Sequence, residues 1–182
     1  MQFKTLAVAA ATAAGASAQN STTPSAFGVL SIRSGSQLQY AGWSAASGGI
    51  FNLLPEQKVS CDPGADESYA TFTIVDGALN LYSNQNPPQQ LYVDRSGMGM
   101  GKIGYTTGAE PAPRSGERTG WAVTGTELTF DGSGFVACPG YEGGAWEIWL
   151  GGVSDHPGWN YNCTGVGARI VPISEPVSCL YE

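Results

Sequence analysis

The chain has 182 residues, a formal net charge of −7 and 42% hydrophobic residues, with 26 glycines and 11 prolines. Fifteen acidic against eight basic side chains repel phosphate backbones, which argues against a nucleic-acid partner. Glycine and proline recur too often for long helices, and beyond the N-terminus no stretch offers the roughly 20 apolar residues of a membrane span.

Residues 1–18, "MQFKTLAVAAATAAGASA", predict a signal peptide. Lys4 supplies the positive region, residues 6–14 the apolar one, and Ala16-Ser17-Ala18 the cleavage site. Residues 19–26 come next as a flexible N-terminal segment and carry the first N-x-[ST] sequon at Asn20. By length, residues 27–182 then form one domain.

Strand signals dominate that domain. "VLSIRSGSQLQY" predicts a hairpin turning at residues 34–36 before Leu38 and Tyr40, with a short strand at 50–54 after it. "TFTIVDGALNLY" predicts a second. Phe72 and Ile74 share a face, Asp76-Gly77 supplies a tight turn, and Leu79 and Leu81 share the returning face. A strand at 91–93 comes next. "WAVTGTELTF" predicts a third hairpin, with Trp121 and Val123 before a turn at 124–126, then Leu128 and Phe130, and a strand at 135–138.

The same order of strand, turn, strand, loop and strand thus occurs three times. The expected fold is all-β, a compact antiparallel barrel or sandwich of about a dozen short strands. A threefold, β-trefoil-like barrel is one outcome and a two-sheet sandwich the other.

Between the second and third hairpins lies "GMGMGKIG", residues 97–104. Gly99, Gly101 and Gly104 satisfy G-x-G-x-x-G, but that pattern works only between a strand and a helix N-terminus. The next segment is "YTTGAEPAPRSG", whose Gly108, Pro111 and Pro113 cannot open a helix. The P-loop pattern fails as well, with Ser96 in place of its first glycine and Ile103 after Lys102. The glycines are better explained by positive φ and close crossing of neighbouring segments. No cofactor motif remains. The polar segment 107–120 carries Arg114, Glu117 and Arg118, either a recognition patch or a solvated Arg–Glu cluster.

Four cysteines, Cys61, Cys138, Cys163 and Cys179, in an exported chain suggest two disulfides. Three pairings are open, and a nested one, Cys138–Cys163 inside Cys61–Cys179, is the working expectation. Zinc is disfavoured, since C-x-x-C is absent and His156 is the lone histidine. His156 beside Asp155 and Pro157 reads as a surface loop residue, and no serine sits in a G-x-S-x-G setting. Asp94, Glu110, Glu117, Glu142, Glu147 and Asp155 offer many carboxylate pairs but none that sequence singles out for glycoside hydrolysis. No catalytic residue is therefore assigned.

Aromatic residues point elsewhere. "AWEIWLGG" places Trp146 and Ile148 on one strand face, with Glu147 and Trp149 on the other. Trp121 and Trp146 are expected in the core. "DHPGWNYN" puts Trp159 and Tyr161 on a Pro-Gly loop among asparagines. Sugar faces stack on such rings, so Trp149, Trp159, Tyr161 and Glu147 are the candidate glycan contacts. The second sequon, Asn162-Cys163-Thr164, adjoins them. The C-terminal "ISEPVSCLYE" has no hydrophobic tail, so no membrane anchor is expected.

"LYVDRSGMGMGKIGYTTGAEPAPRSGERTGW", residues 91–121, resembles the central signature of the phialide cell-wall proteins of filamentous fungi, the PhiA-like family. "SIRSGSQLQY", "SCD" at Cys61, "ACP" at Cys138, "NCTG" at Asn162 and "SCLY" at Cys179 extend the likeness over nearly the whole domain. The resemblance implies a secreted fungal cell-wall protein tied to phialide and conidium development. It implies no catalytic residues, and its cysteine pattern supports the disulfide reading. The expectation is a non-catalytic structural or glycan-binding component whose partner is wall polysaccharide. The alternatives are a secreted wall-modifying glycoside hydrolase and a self-associating coat or adhesion protein.

Overall fold

The computed structural model describes residues 23–63 and 68–182. The signal peptide, the Asn20 sequon and the first half of segment 19–26 lie outside the described residues. Among the described residues, fifteen strands carry the fold, and helical structure is confined to single 3-10 turns at Glu142–Gly144 and Pro157–Trp159.

In chain order the strands are β1 (Phe27–Ile32), β2 (Trp43–Ala46), β3 (Gly49–Asn52), β4 (Val59–Cys61), β5 (Phe72–Val75), β6 (Ala78–Leu81), β7 (Gln90–Asp94), β8 (Lys102–Thr106), β9 (Gly116–Glu117), β10 (Trp121–Thr124), β11 (Glu127–Phe130), β12 (Phe135–Pro139), β13 (Trp146–Leu150), β14 (Thr164–Pro172) and β15 (Cys179–Tyr181). Thirteen of them join one antiparallel sheet. Its path runs β1-β5-β6-β7-β8-β3-β13-β12-β14, and six residue pairs between β1 and β14 bring the two ends together. The circuit is irregular. The β1–β5 and β6–β7 links are single pairs, Phe27↔Phe72 and Asn80↔Gln90. Hairpin β10–β11 extends from β14, β2 pairs only with β3, and β9 with β7.

The all-β expectation holds, and two of the three expected hairpins form where the turn chemistry placed them. In β5–β6, Val75 pairs with Ala78 around Asp76 and Gly77, both at positive φ, as a tight two-residue turn requires. In β10–β11, Thr124 pairs with Glu127 around Gly125, also at positive φ.

The first expected hairpin does not form. Residues 33–41 are a series of turns, in which Gln39 Oε1 accepts from Arg33 N (2.7 Å) and Ser36 Oγ accepts from Leu38 N (3.0 Å). These side chains capture backbone donors that a returning strand would need. Leu38 is buried all the same, and β1 pairs with β14 instead. The hairpin of this region is β2–β3, turning on Ser47 and Gly48 at positive φ. The strand pairing therefore does not repeat the three copies read from sequence.

The core is aromatic at its centre. Trp43 meets Phe72 and Phe135 edge-on, while Trp121 packs on Phe130 and Phe135. Trp121 is buried as expected, and Trp146 is half-buried against the same core. The polar groups around Trp43 are satisfied in a chain, whereas the buried Nε1 of Trp121 has no partner. Trp43 Nε1 donates to Ser31 Oγ (2.9 Å), Ser31 Oγ to Asn52 Oδ1 (2.6 Å), and Asn52 Nδ2 to the carbonyls of Ala41 and Gly42.

The C-terminus is drawn in. β15 pairs with β4, and Gln89 reads the backbone of Tyr181 from both sides, Nε2 donating to its carbonyl (2.6 Å) and Oε1 accepting from its N–H (2.8 Å). The two disulfides are Cys61–Cys179 and Cys138–Cys163, the nested pairing.

Candidate functional site

The glycine run is the turn between β7 and β8, and Lys102 begins a strand. A strand and not a helix N-terminus follows the run, so the context in which such a pattern cradles phosphate is not met. Gly101 sits at φ +89, and a Cβ there would come within 2.7 Å of the Leu150 carbonyl. That close crossing demands glycine with no ligand involved. Lys102 is engaged as well. Its ammonium pairs with Glu147 and lies 5.1 Å from the Trp149 ring centroid.

This triad explains where two of the candidate glycan contacts go. Alternation along β13 puts Glu147 and Trp149 on one face, as expected, but that face is covered. Trp149 is 8% exposed. Lys102 lies over its ring, and Gly158 of the next loop packs so close that a Cβ there would stand 2.9 Å from Cζ2. Trp149 therefore offers no face to a sugar and acts as the floor under the loop.

The loop itself, residues 154–162, carries the other two. Trp159 is 74% exposed and Tyr161 72%. Several contacts hold the loop. Pro157 is buried, Trp159 N donates to the His156 carbonyl (2.9 Å), and Asn160 N donates to the Pro157 carbonyl (3.0 Å). Asn160 Nδ2 donates to the Pro139 carbonyl, and its Oδ1 accepts from Asn162 N (3.0 Å). Cys163 ties the end of the loop to β12 through Cys138. The His156 ring lies 4.1 Å from that of Tyr161 and braces it. Trp159 has φ +63, a left-handed conformation that is a genuine outlier for a bulky side chain. Behind the loop lies a cleft of about 180 Å³ walled by Tyr141, Glu147, Trp149, Pro157 and Asn160.

Of the four expected contacts the structure thus exposes the rings of Trp159 and Tyr161, and it sets Tyr141 and Asn160, which the sequence did not single out, in the cleft behind them. Tyr141, three residues after Cys138, carried no local signal, while Asn160 stood between the two rings already chosen. The 107–120 segment is largely accounted for by internal contacts. β9 pairs with β7, and Arg118 donates to Gln90, to Thr106 Oγ1 (2.9 Å) and to the Glu110 carbonyl (3.2 Å). Glu117 pairs with Arg95, which also reaches Asp131 (2.9 Å). The hydrogen bond from Arg95 holds the Glu117 carboxyl below its ordinary value. Among the described residues no group of three His, Cys, Asp or Glu side chains converges to hold a metal ion. None of the described helices is long and apolar enough to cross a membrane.

A family model described as PhiA-like secreted protein matches residues 27–182. Cell wall protein phiA of Aspergillus niger is 50% identical over 182 residues, covering 100% of this chain and 98% of the relative. The protein of the same name in Aspergillus fumigatus is 48% identical over 184 residues, covering 100% and 99%. That of Arthroderma benhamiae is 32% identical over 186 residues, covering 98% and 100%. No solved structure matches the chain. With its whole β domain inside the family match and its full length shared with these relatives, the chain belongs to the PhiA-like family of secreted proteins.

Proposed function

We propose that this protein works in the fungal cell wall as a non-catalytic component that grips wall polysaccharide through the 154–162 loop, in the setting of phialide and conidium development. The wall setting is supported by the relatives, each named a cell wall protein. The observation that carries the gripping role is Trp159. Left-handed backbone costs a non-glycine residue roughly 1–2 kcal/mol. An indole at 74% exposure recovers little of that through burial. Strain of this kind concentrates at functional surfaces, where the rest of the structure holds it in place. Here the restraint is the disulfide, buried Pro157 and the Gly158–Trp149 contact.

The indole and the Tyr161 ring supply faces for the C–H sides of a sugar, and Asn160 and Glu147 stand near the cleft for its hydroxyls. Retention in the wall would then be non-covalent. Asn162, exposed beside Tyr161, is the acceptor we assign for an N-linked glycan. A mass loss at that residue on amidase treatment of the secreted protein checks this.

Sedimentation with chitin and β-glucan particles tests the main reading. The wild-type protein is expected to be enriched on at least one of them. Trp159→Ala and Tyr161→Ala should each weaken retention several-fold while leaving the melting temperature within about 2 °C, since both side chains are exposed. Wild-type protein left wholly in the supernatant with every wall fraction would overturn the proposal.

A further inference from the structure

We propose that the protein holds an extended strand of uncharged polysaccharide along a groove running from Tyr69 to the 154–162 loop, the loop being one end of a longer track. This rests on the reading of that loop as a saccharide contact.

Five clefts succeed one another over the surface, each sharing wall residues with the next. A largely apolar cleft beside Leu30, Val171 and Ile173 shares Gly42 and Tyr69 with a cleft of about 390 Å³. The latter shares Leu54, Pro55 and Glu56 with a third. The third shares Tyr141 with the cleft behind the loop, and that one shares Pro157 with a cleft beside Asp155. Rings wall the beginning and middle of the series, at Tyr69 and Tyr141, and exposed Trp159 stands next to Gly158 of the cleft behind the loop.

These rings are supported from beneath. Tyr69 is 51% exposed and rests directly on Gly42, where a Cβ would come within 2.1 Å of its Cδ1. Tyr141 packs against Phe51 with centroids 4.2 Å apart. Rings already fixed lose little conformational entropy when a ligand settles on them.

Backbone strain marks the same two ends. Tyr40 (φ +64), Leu53 (φ +55) and Trp159 (φ +63) combine left-handed backbone with exposed, bulky side chains. Leu53 lines the 390 Å³ cleft, Tyr40 adjoins Ala41 of its wall, and Trp159 adjoins Gly158 at the far end.

Charge and wall structure choose the occupant. Glu56, Glu142 and Asp155 line the clefts against Lys58, while Glu147 is paired with Lys102. That balance, on a chain of net charge −7, repels polyanions. A peptide strand adds best to a free sheet edge, yet most of these walls are loop residues outside the strands. A neutral sugar strand, apolar on its ring faces and hydroxylated at its edges, suits alternating rings and polar walls. Several subsites on one strand reinforce each other through effective concentration.

The experiment is calorimetric titration with linear β-1,3-glucan and chitin oligomers of increasing length, from two sugars to eight. Affinity should rise on the order of tenfold or more with length and then level off as the track fills. For the longest oligomer, Tyr69→Ala and Trp159→Ala should each weaken binding about fivefold, and Tyr69→Phe should keep it. If Tyr69→Ala lowers the melting temperature, Tyr141→Ala at the middle of the groove carries the same expectation. Affinity independent of length, or a Tyr69→Ala variant equal to wild type on the longest oligomer, overturns the groove while leaving the loop reading intact. A protein that binds none of these sugars, or that takes a proline-rich peptide in their place, overturns both.

Discussion

Around Cys61–Cys179 the chain turns its side chains inward, whereas around Cys138–Cys163 it turns them out. The first bridge joins residues 118 apart and fixes β15 against β4. Beside it Tyr181 and Gln89 are buried and fully engaged with each other. The second bridge spans 25 residues and closes the loop that presents Trp159 and Tyr161. One sulfur link completes a core. The other closes a surface loop whose Trp159 has left-handed backbone.

Removing the bridges one at a time should separate these roles. Loop-closure entropy predicts a loss of roughly 4–5 kcal/mol for Cys61→Ser with Cys179→Ser, and roughly 3.5 kcal/mol for Cys138→Ser with Cys163→Ser. Denaturant midpoints measure the difference. Polysaccharide retention should behave in the opposite order. The second variant, still folded at low temperature, should lose it, and the first should keep it wherever it remains folded. Equal losses of both properties in the two variants would break the comparison.

Alkali probes the inward region and also Tyr92 of β7, whose pKa burial raises. Burial pushes Tyr105 up to about 12 and raises Tyr181 above its ordinary value. A folded-state pKa above the unfolded value near 10 means the native state holds its proton more tightly. This stabilisation is complete below pH of about 10 and is lost as the pH rises through the folded-state pKa. Melting temperature should therefore fall steeply over that range. Tyr181→Phe should flatten part of the fall. It should also cost about 1–2 kcal/mol at neutral pH, because the Thr71 N–H loses its acceptor, the Tyr181 hydroxyl oxygen.

The features legible in sequence divide in the same way, between local and distant causes. Asp76-Gly77 and Gly125 were legible because a two-residue turn imposes its own chemistry on those positions. Trp159 and Tyr161 were legible because Pro157 and Gly158 mark a loop that the sheet cannot absorb. The hairpin expected at 34–36 failed because Ser36 and Gln39 bind their own backbone, a competition that alternation does not register. Trp149 was misjudged because its covers, Lys102 and Gly158, come from other elements and meet it only in the folded chain. Tyr69 and Tyr141 carried no local sign of their place along a groove, since the clefts exist only where distant loops adjoin.

The smallest expected effect tests the strained side most directly. At φ +63, alanine keeps the left-handed strain of Trp159 and glycine does not. Glycine also leaves the unfolded chain freer, which offsets roughly 0.5–1 kcal/mol of that relief. Trp159→Gly should therefore be more stable than Trp159→Ala by about 0.5–1 kcal/mol in urea melts, while both lose polysaccharide retention. Stability and binding would then move in opposite directions at one residue, which no position near Tyr181 allows, because there the same side chain supplies both the packing and the hydrogen bonds. A glycine variant less stable than the alanine one would mean that the indole stabilises the fold more than its exposure implies, and the case for a surface held in strain for binding would fail at its central residue.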